Sequence, residues 1–414
     1  MAACAGFFSP RPHTLGAITA EDSGVDSISD YQALVRAAYE GQRGIPFWLV
    51  NRYASELWKG VLKAADAYRP ARVTADYTPA RREALMARLQ GNIYAFSAAK
   101  SLDQMLTLRN AVYTPEGKAV PWEQYKTVAQ GIDRRYNLTY LATERAAVIR
   151  GTEAALRWED IQQYADIAPL LEYVTAGDGD VREEHAALAG IIEPVDSPFW
   201  RQYYPPNGWN CRCSVRSLSQ REAERKGYFS PDTNANMKRA GAAVPKQWRR
   251  NTGTGELLPT RGTIVDERGK QLKASDYGLR PVDDIYQRAD SLPVPGELSL
   301  EDYRRAFADA HPDGTVKTAT GLRVHASDRF FDHARKHTDV MCELENVLKT
   351  PDEVWRGIKG SGRYTDEMFT KYVKYYQGQP VVALVDKDMN ARTIYAIGQK
   401  QAEDFRTGIL LKRK

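Results

Sequence analysis

One stretch, residues 178–218, constrains this chain more than any other. It opens with Asp178-Gly179-Asp180-Val181-Arg182-Glu183-Glu184-His185 and passes Gly190 to Glu193-Pro194-Val195-Asp196-Ser197-Pro198-Phe199-Trp200. It closes with Tyr204-Pro205-Pro206-Asn207-Gly208-Trp209-Asn210-Cys211-Arg212-Cys213. Two of the four cysteines, one of the six histidines and two of the eight tryptophans fall here, more than core packing alone explains. Prolines and glycines at this density fix turns rather than leave a free path. Pro194, Pro198, Pro205 and Pro206 forbid continuous helix beyond Gly190. An Asp in the turn at 178–180 can cap the segment after it. If residues 181–189 are helical, Arg182 and His185 share a face. The stretch reads as a rigid loop clamped back onto a helix.

Cys211-x-Cys213 brings two thiols close together, and a return to His185 gives three soft or borderline ligands, a zinc option. Against it, the spacing is tighter than a finger knuckle and no fourth ligand is evident; a hydrogen-bonded histidine beside two reduced thiols packed as small hydrophobes is the plainer alternative. A Cys211–Cys213 disulfide fits disulfide geometry poorly. No cofactor is expected, with zinc at His185, Cys211 and Cys213 left open.

The combination Asp180-Val-Arg182-x-x-His185, Pro194-x-Asp196-x-Pro198-Phe199-Trp200, Tyr204-Pro-Pro-Asn-Gly-Trp209-x-Cys211-Arg-Cys213 and Arg216-x-Leu218-Ser219 resembles the signature of phage Mu F-like head morphogenesis proteins. These are minor head proteins of tailed phages and prophages. The likeness covers residues 138–227 well and the upstream helices more loosely. It implies a helical N-terminal half, portal and capsid proteins as partners, and a place in the virion.

At 414 residues the length suggests two or three domains, each large enough for a core. A net charge of +5 is compatible with nucleic acid nearby without establishing it. No apolar run approaches the length that spans a bilayer, so no membrane partner is expected, and the first twenty residues lack the pattern of a signal peptide. Four cysteines in so long a chain fit a reducing bacterial cytoplasm better than a disulfide scaffold.

Residues 1–25 read as a flexible arm. Helical spacing comes next: Tyr31, Leu34, Val35 and Ala38; Leu49, Tyr53, Leu57, Val61 and Leu62; then, after Pro79, Leu85, Leu89, Ile93 and Phe96. Tyr125, Val128, Ile132 and Tyr136 suggest a short helix. Residues 138–158 form the best helix, with Glu144 and Arg150 on its polar face. Residues 170–175 are β-prone and deliver the chain to the Asp178 turn, and Val215 begins a second short strand. Residues 219–225 suit a helix. Periodicity then fades over 229–295, where Lys246, Arg249, Arg250 and Arg261 add positive charge; this reads as a partly ordered, solvated linker.

From residue 296 an α+β pattern returns, helices first and then an antiparallel meander. Residues 298–310 are helical, 321–325 a short strand, and Ser327 an N-cap for a helix bearing Phe330, Phe331, Ala334 and His337. Helix continues over 341–348. Thr350-Pro351-Asp352-Glu353-Val354-Trp355 starts a new element with proline at its first turn. Strands are expected at 372–376, 380–385 and 392–397. The overall expectation is a multidomain chain: a mostly α head-morphogenesis region with a small β element over 26–228, the linker, and a smaller α+β domain with an antiparallel sheet over 296–414.

The C-terminal domain offers His325, His333, Lys336, His337, Lys371, Thr393, Tyr395 and Arg406, with no metal-ligand spacing and no glycine loop for a nucleotide phosphate. Such a set suits metal-independent RNA cleavage, in which the 2′-OH attacks its own phosphate and the protein moves two protons and stabilises the phosphorane. The bland reading is a solvated face of an accessory domain. His333, Pro351-Asp-Glu-Val-Trp355, Lys371-Tyr-x-Lys374, Thr393-Ile-Tyr395 and Phe405-Arg406-x-Gly408 resemble phage-associated nuclease domains of the barnase, EndoU, colicin and RelE fold. That resemblance implies His333, Thr393 and Arg406 as site residues, with Lys371 and Tyr395 as further candidates. Their chemistry assigns His333 to proton transfer, Arg406 and Lys371 to the phosphate and Thr393 to orienting it, with His333 and Arg406 at least partly exposed. It brings in RNA as substrate and an immunity protein as partner. The functions to weigh are therefore a minor head protein carrying an RNase effector, a purely structural minor capsid protein with an inactive accessory domain, and a polymorphic toxin delivered by its Mu F-like part.

Overall fold

A computed structural model describes residues 28–42, 44–70, 79–260, 263, 272–282, 291–292, 299–358, 367–377 and 379–414. The expected arm at 1–25 lies outside them. The chain divides into two compact units. The first draws on Met1–Arg43, Arg52–Asp76 and Ala99–Thr263, and the second on Gly44–Asn51, Tyr77–Ala98 and Ile264–Lys414.

Helices α1 (Ile28–Tyr39), α2 (Phe47–Ala67) and α3 (Pro79–Asn110) come first, followed by α4 (Trp122–Arg134), a π-helical turn (Arg135–Tyr140) and α5 (Leu141–Gln163). In the first unit α4 buries Tyr125, Ala129 and Ile132. Val128, expected on that stripe, faces solvent, since it lies one residue off the buried face. Glu144 does not lie on a polar face of α5 as expected. It is buried and paired with the equally buried Lys100, 2.6 Å away. Lys100 Nζ also donates to the Tyr136 carbonyl of the π-turn at 3.0 Å and sits 4.1 Å from the Tyr53 ring centroid. Widening to a π-turn aims that carbonyl off the helical ladder, where a buried ammonium needs an acceptor. Burial pulls Lys100 below its ordinary range and pushes Glu144 above its own, and the pairing works against both shifts.

A three-stranded antiparallel sheet carries the signature stretch. β1 (Leu170–Val174) is central, between β2 (Ile192–Pro194) and β3 (Ser214–Leu218). Between them run α6 (Glu183–Ala186) and α7 (Pro198–Tyr203). Helix α6 is one turn, shorter than the helix expected over 181–189: it is capped at Ala187, and the chain passes through a turn to Gly190, whose φ is +79°. Ser197 caps α7 by accepting from the Phe199 N–H at 3.2 Å, with Pro198 in the first turn. α8 (Gln220–Arg225) starts with a Ser219–Glu222 capping box.

Within the expected linker the structure differs. α9 (Thr233–Ala243) is helical, and Ala240, Val244 and Trp248 join the core made by Leu171, Tyr173, Phe199, Trp200 and Tyr204. Arg250 stacks on Trp248 and donates to the Glu256 and Leu257 carbonyls, both at 2.6 Å. Arg249 likewise donates to Val244 and Gly241 carbonyls. This segment is held by guanidinium–carbonyl bonds and one tryptophan, which leave no apolar period to read. Arg261 lies outside the described residues.

The second unit is a five-stranded antiparallel sheet in the order β10-β6-β7-β8-β9, with β6 (Glu353–Ile358), β7 (Met368–Tyr376), β8 (Gln379–Val385), β9 (Ala391–Ala396) and β10 (Ile409–Arg413). A small hairpin, β4 (Thr315–Lys317) with β5 (Arg323–His325), precedes it, and α10 (Leu300–Ala310), α11 (Asp328–Ala334), α12 (Leu344–Lys349) and α13 (Gln399–Phe405) complete it. The element begun by Pro351 is strand β6 rather than a helical turn; paired on both sides, Val354 and Trp355 are fully buried. Register places Trp355, Lys371, Leu384 and Thr393 in one row across a single face, with Glu353, Val373, Val382 and Tyr395 in the next. Residues from Tyr77–Ala98 also belong to this unit. Glu83 accepts from the Arg323 N–H at 3.1 Å, Gln90 donates to the Thr320 carbonyl at 3.0 Å, and Gly91 leaves room for the Arg356 side chain, which a Cβ would meet at 2.5 Å.

Candidate functional sites

In the first unit the sheet closes the signature stretch on itself. β1 pairs with β2 and β3, so the chain leaves β1, runs through the Asp178 turn and α6, and returns through Cys211 and Cys213 into β3. Asp178 accepts from the Asp180 N–H at 3.2 Å and forms a two-pronged pair with Arg212 at 2.5 and 2.6 Å. Hydrogen bonding to Arg212 holds the Asp178 carboxyl below its usual range. Arg182 donates to the Trp209 carbonyl, tying the start of α6 to the returning strand. Trp209 packs edge-on against Trp248 with ring centroids 5.0 Å apart.

These ties bring His185, Cys211 and Cys213 together. Cys211 Sγ lies 3.6 Å and Cys213 Sγ 3.7 Å from His185 Nδ1, and all three ligand atoms are within 4.8 Å of one another. Hydrogen bonding from Cys213 keeps the Cys211 thiol well below its ordinary range despite burial, and the same bond raises Cys213. Asn207, fully buried, donates to the Tyr173 hydroxyl at 3.1 Å and the Tyr203 carbonyl at 2.9 Å. Tyr173 in turn hydrogen-bonds Cys213. Beside the cluster is a cavity of about 440 Å³ lined also by Arg150, Asp180, Arg182 and Arg212.

Sequence reasoning gave Glu193 no role. It is fully buried and accepts from Ser197, Thr233 and Asn236, each at 2.8 Å. A carboxylate flanked by Pro194 and followed at i+4 by the capping Ser197 was the available signal.

In the second unit a cavity of about 800 Å³ is lined by His333, Lys336 and His337 from α11 and its following turn, and by Thr393 and Tyr395 from β9. Arg329, Asp332, Asp386 and Arg392 also line it. The His333 and His337 ring centroids are 6.0 Å apart, and His337 lies 5.6 Å from Tyr395. Burial pushes the Tyr395 phenol well up, so it is protonated at neutral pH. Thr393 Oγ1 is buried without a hydrogen-bond partner among the described residues. Asp386 opens the β8–β9 turn by accepting from the Asp388 and Asn390 N–H groups, which sets β9 against α11.

Two predicted residues are placed elsewhere. Arg406, expected to be exposed, is 1% exposed and doubly bonded to Glu353 at 2.8 and 2.9 Å, with Glu403 and the Arg280 carbonyl beyond. Trp355 and Tyr375 also bond Glu353. A carboxylate buried on the sheet face requires this counter-ion. Lys371 shares the cavity's face but is fully buried, and Nζ donates to the Thr407 carbonyl at 2.7 Å and hydroxyl at 3.0 Å. Neither lines the cavity. The cations that do include Arg329 and Arg392, which sequence reading passed over. Arg329 precedes His333 by four residues, and that helical spacing was legible.

Comparison with known proteins assigns a class to each region. Residues 122–216 match the family model described as Phage Mu protein F like protein, and residues 300–412 match phage-Barnase-EndoU-ColicinE5/D-RelE like nuclease2. The chain therefore joins a region similar to phage Mu protein F to a region similar to this nuclease family. Among individual relatives, the Putative capsid assembly protein F of Escherichia phage Mu is 33% identical over 157 residues, covering 37% of this chain and 33% of that protein. The Mu-like prophage FluMu F protein of Haemophilus influenzae is 32% identical over 150 residues, covering 36% and 34%. The chain thus spans about a third of the length of the curated relatives it matches. No solved structure matches. No helix among the described residues is long and apolar enough to cross a membrane.

Proposed function

We propose that this chain is a phage or prophage minor head protein that acts in head assembly at the portal and carries a metal-independent endoribonuclease in its second unit. Its partners are then portal and capsid proteins, with an immunity protein guarding the producing cell. It works in two places, the virion and the bacterial host cytoplasm. The head role is supported by the Mu F match and by the name of the phage Mu relative.

The observation that carries the nuclease reading is the convergence of His333, His337, Tyr395 and Thr393 on one cavity with Arg329, Lys336 and Arg392. In this reading an imidazole takes the proton of a ribose 2′-OH as that oxygen attacks the adjacent phosphorus. A second proton, from the other imidazole or from Tyr395, goes to the departing 5′ oxygen, and the P–O5′ bond breaks to leave a 2′,3′-cyclic phosphate. Arg329, Lys336 and Arg392 neutralise the phosphorane, and the Thr393 hydroxyl orients it. Arg406 and Lys371 leave the catalytic roles first expected of them and support the sheet instead.

The test is cleavage of labelled RNA by the full chain in EDTA, with toxicity measured on expression in bacteria. His333→Ala and His337→Ala should each lower the rate about a hundredfold or more. Full activity in both variants rejects the residue assignment. Inactivity of the unaltered chain, without toxicity, returns the domain to an accessory structural role. Mass spectrometry of purified heads should find the chain in few copies; its absence rejects the head assignment.

A further inference from the structure

The geometry points to a zinc site at His185 Nδ1, Cys211 Sγ and Cys213 Sγ, with a fourth position open to the adjoining cavity. Zinc–sulfur bonds of about 2.3 Å and zinc–nitrogen bonds of about 2.05 Å at a tetrahedral angle put sulfur and nitrogen about 3.6 Å apart. The two separations in this chain are 3.6 and 3.7 Å.

Two thiols and one ring nitrogen face a common point. A single imidazole nitrogen can exchange only one proton, so it cannot hydrogen-bond both sulfurs at once, and the thiols otherwise bond each other and Tyr173. A cation at the centre satisfies all three donors at once. The surroundings fit a metal thiolate. Tyr173 hydrogen-bonds Cys213, Asn207 holds Tyr173 in place, and the Asn207 backbone N–H points at Cys211. Hydrogen bonds of this kind orient ligands and tune their charge.

Among the described residues these three are the group with metal-ligand geometry, and no fourth protein donor joins them. Instead they border the cavity of about 440 Å³. Arg150 lines that cavity, and its Nη1 atom is buried without a hydrogen-bond partner among the described residues. Arg182 and Arg212 line it too. A fourth position opening on this cavity, which Asp180 also lines and where Arg212 is paired with Asp178, takes water or an exchangeable small anion. Three protein ligands with one exchangeable place is the pattern of a reactive rather than a closed structural zinc site.

The test uses the full chain. Metal analysis after purification in zinc-containing buffer should find one zinc per chain, removed by chelator and restored by zinc alone. Cys211→Ser, Cys213→Ser and His185→Ala should each lose it, while Cys342→Ser, at an exposed position outside the cluster, should keep it. Tyr173→Phe should weaken binding about ten- to a hundredfold. Cobalt should give thiolate charge-transfer absorption and four-coordinate visible bands, and added azide should shift those bands. Zinc uptake by unaltered protein no higher than by the Cys211→Ser/Cys213→Ser variant overturns the site, and this comparison needs only the unaltered chain to be folded. Bound cobalt whose spectrum ignores azide overturns the open position. Neither result bears on RNA cleavage or head incorporation.

Discussion

Replacing Arg406 with alanine should unfold the second unit more readily rather than remove a group from its cavity. The magnitude comes from the carboxylate that the guanidinium leaves behind. Glu353 is 3% exposed and receives two hydrogen bonds from Arg406 in parallel geometry, besides those from Trp355 and Tyr375. Burial works against the Arg406 charge, yet the hydrogen bonds and charge of Glu353 outweigh it and hold the guanidinium above its ordinary range. Removing one member of a buried pair costs about 3–5 kcal/mol, because the other charge remains without compensation. For a unit of this size each kcal/mol lowers the melting temperature by about 2–4 °C, so a fall of roughly 6–20 °C is expected. Arg406→Lys should recover only part of this, since an ammonium cannot make the paired contact. The assay is chemical and thermal unfolding of the full chain, followed through the transition of the second unit, alongside RNA cleavage at a temperature where the variant is still folded. Unchanged stability together with lost cleavage would refute the argument and restore Arg406 to the phosphate.

Three further outcomes are expected. Glu144→Ala should destabilise the first unit by about 3–5 kcal/mol in urea titration, whereas Lys100→Met combined with Glu144→Leu should recover most of the loss; additive losses would contradict the buried pair. Burial lowers Lys371 from 10.5 to about 7, so between those values the unfolded chain binds the extra proton and stability should rise with pH, by at most about 1.4 kcal/mol per unit. Lys371→Met should flatten that slope, and an identical pH profile in the variant would be inconsistent with a neutral buried amine. Gly408→Ala should cost about 1–3 kcal/mol or more, because φ is +101° and an added Cβ would meet the Arg356 carbonyl; a silent substitution would show that β10 can shift.

The signature loop was the most legible part of this chain because its chemistry is local. Arg182, His185, Trp209, Cys211 and Cys213 are rare residues in fixed order, and a short sheet suffices to bring them together. The strand at Leu170 and the apolar run at Val381 were visible by composition. Charged residues that turn inward were not. Glu144, Arg406 and Arg250 read as surface groups, and Lys100 and Glu353 drew no role, since a single sequence shows a charge but not the partner that lets it be buried. The fold of residues 233–258 escaped for a related reason, its stabilisation coming from arginines on carbonyls rather than from a hydrophobic period. The cavity of the second unit was half legible. His333, Thr393 and Tyr395 were found by residue type, while the choice among cations depended on which face of which strand each one occupies.

The composition of the second unit has a bearing on what a cut in this chain would do. Gly44–Asn51 and Tyr77–Ala98 belong to that unit, although they precede the first residue of the nuclease match by about 200 to 250 positions. Glu83, Gln90 and Gly91 make specific contacts within it. A protease that cut once between residues 263 and 299 would sever the backbone but leave these segments on the other piece. The freed fragment would lose the partners of Arg323, Thr320 and Arg356. A single nick there therefore exchanges a complete unit for an incomplete one, and only the uncut chain keeps the unit intact.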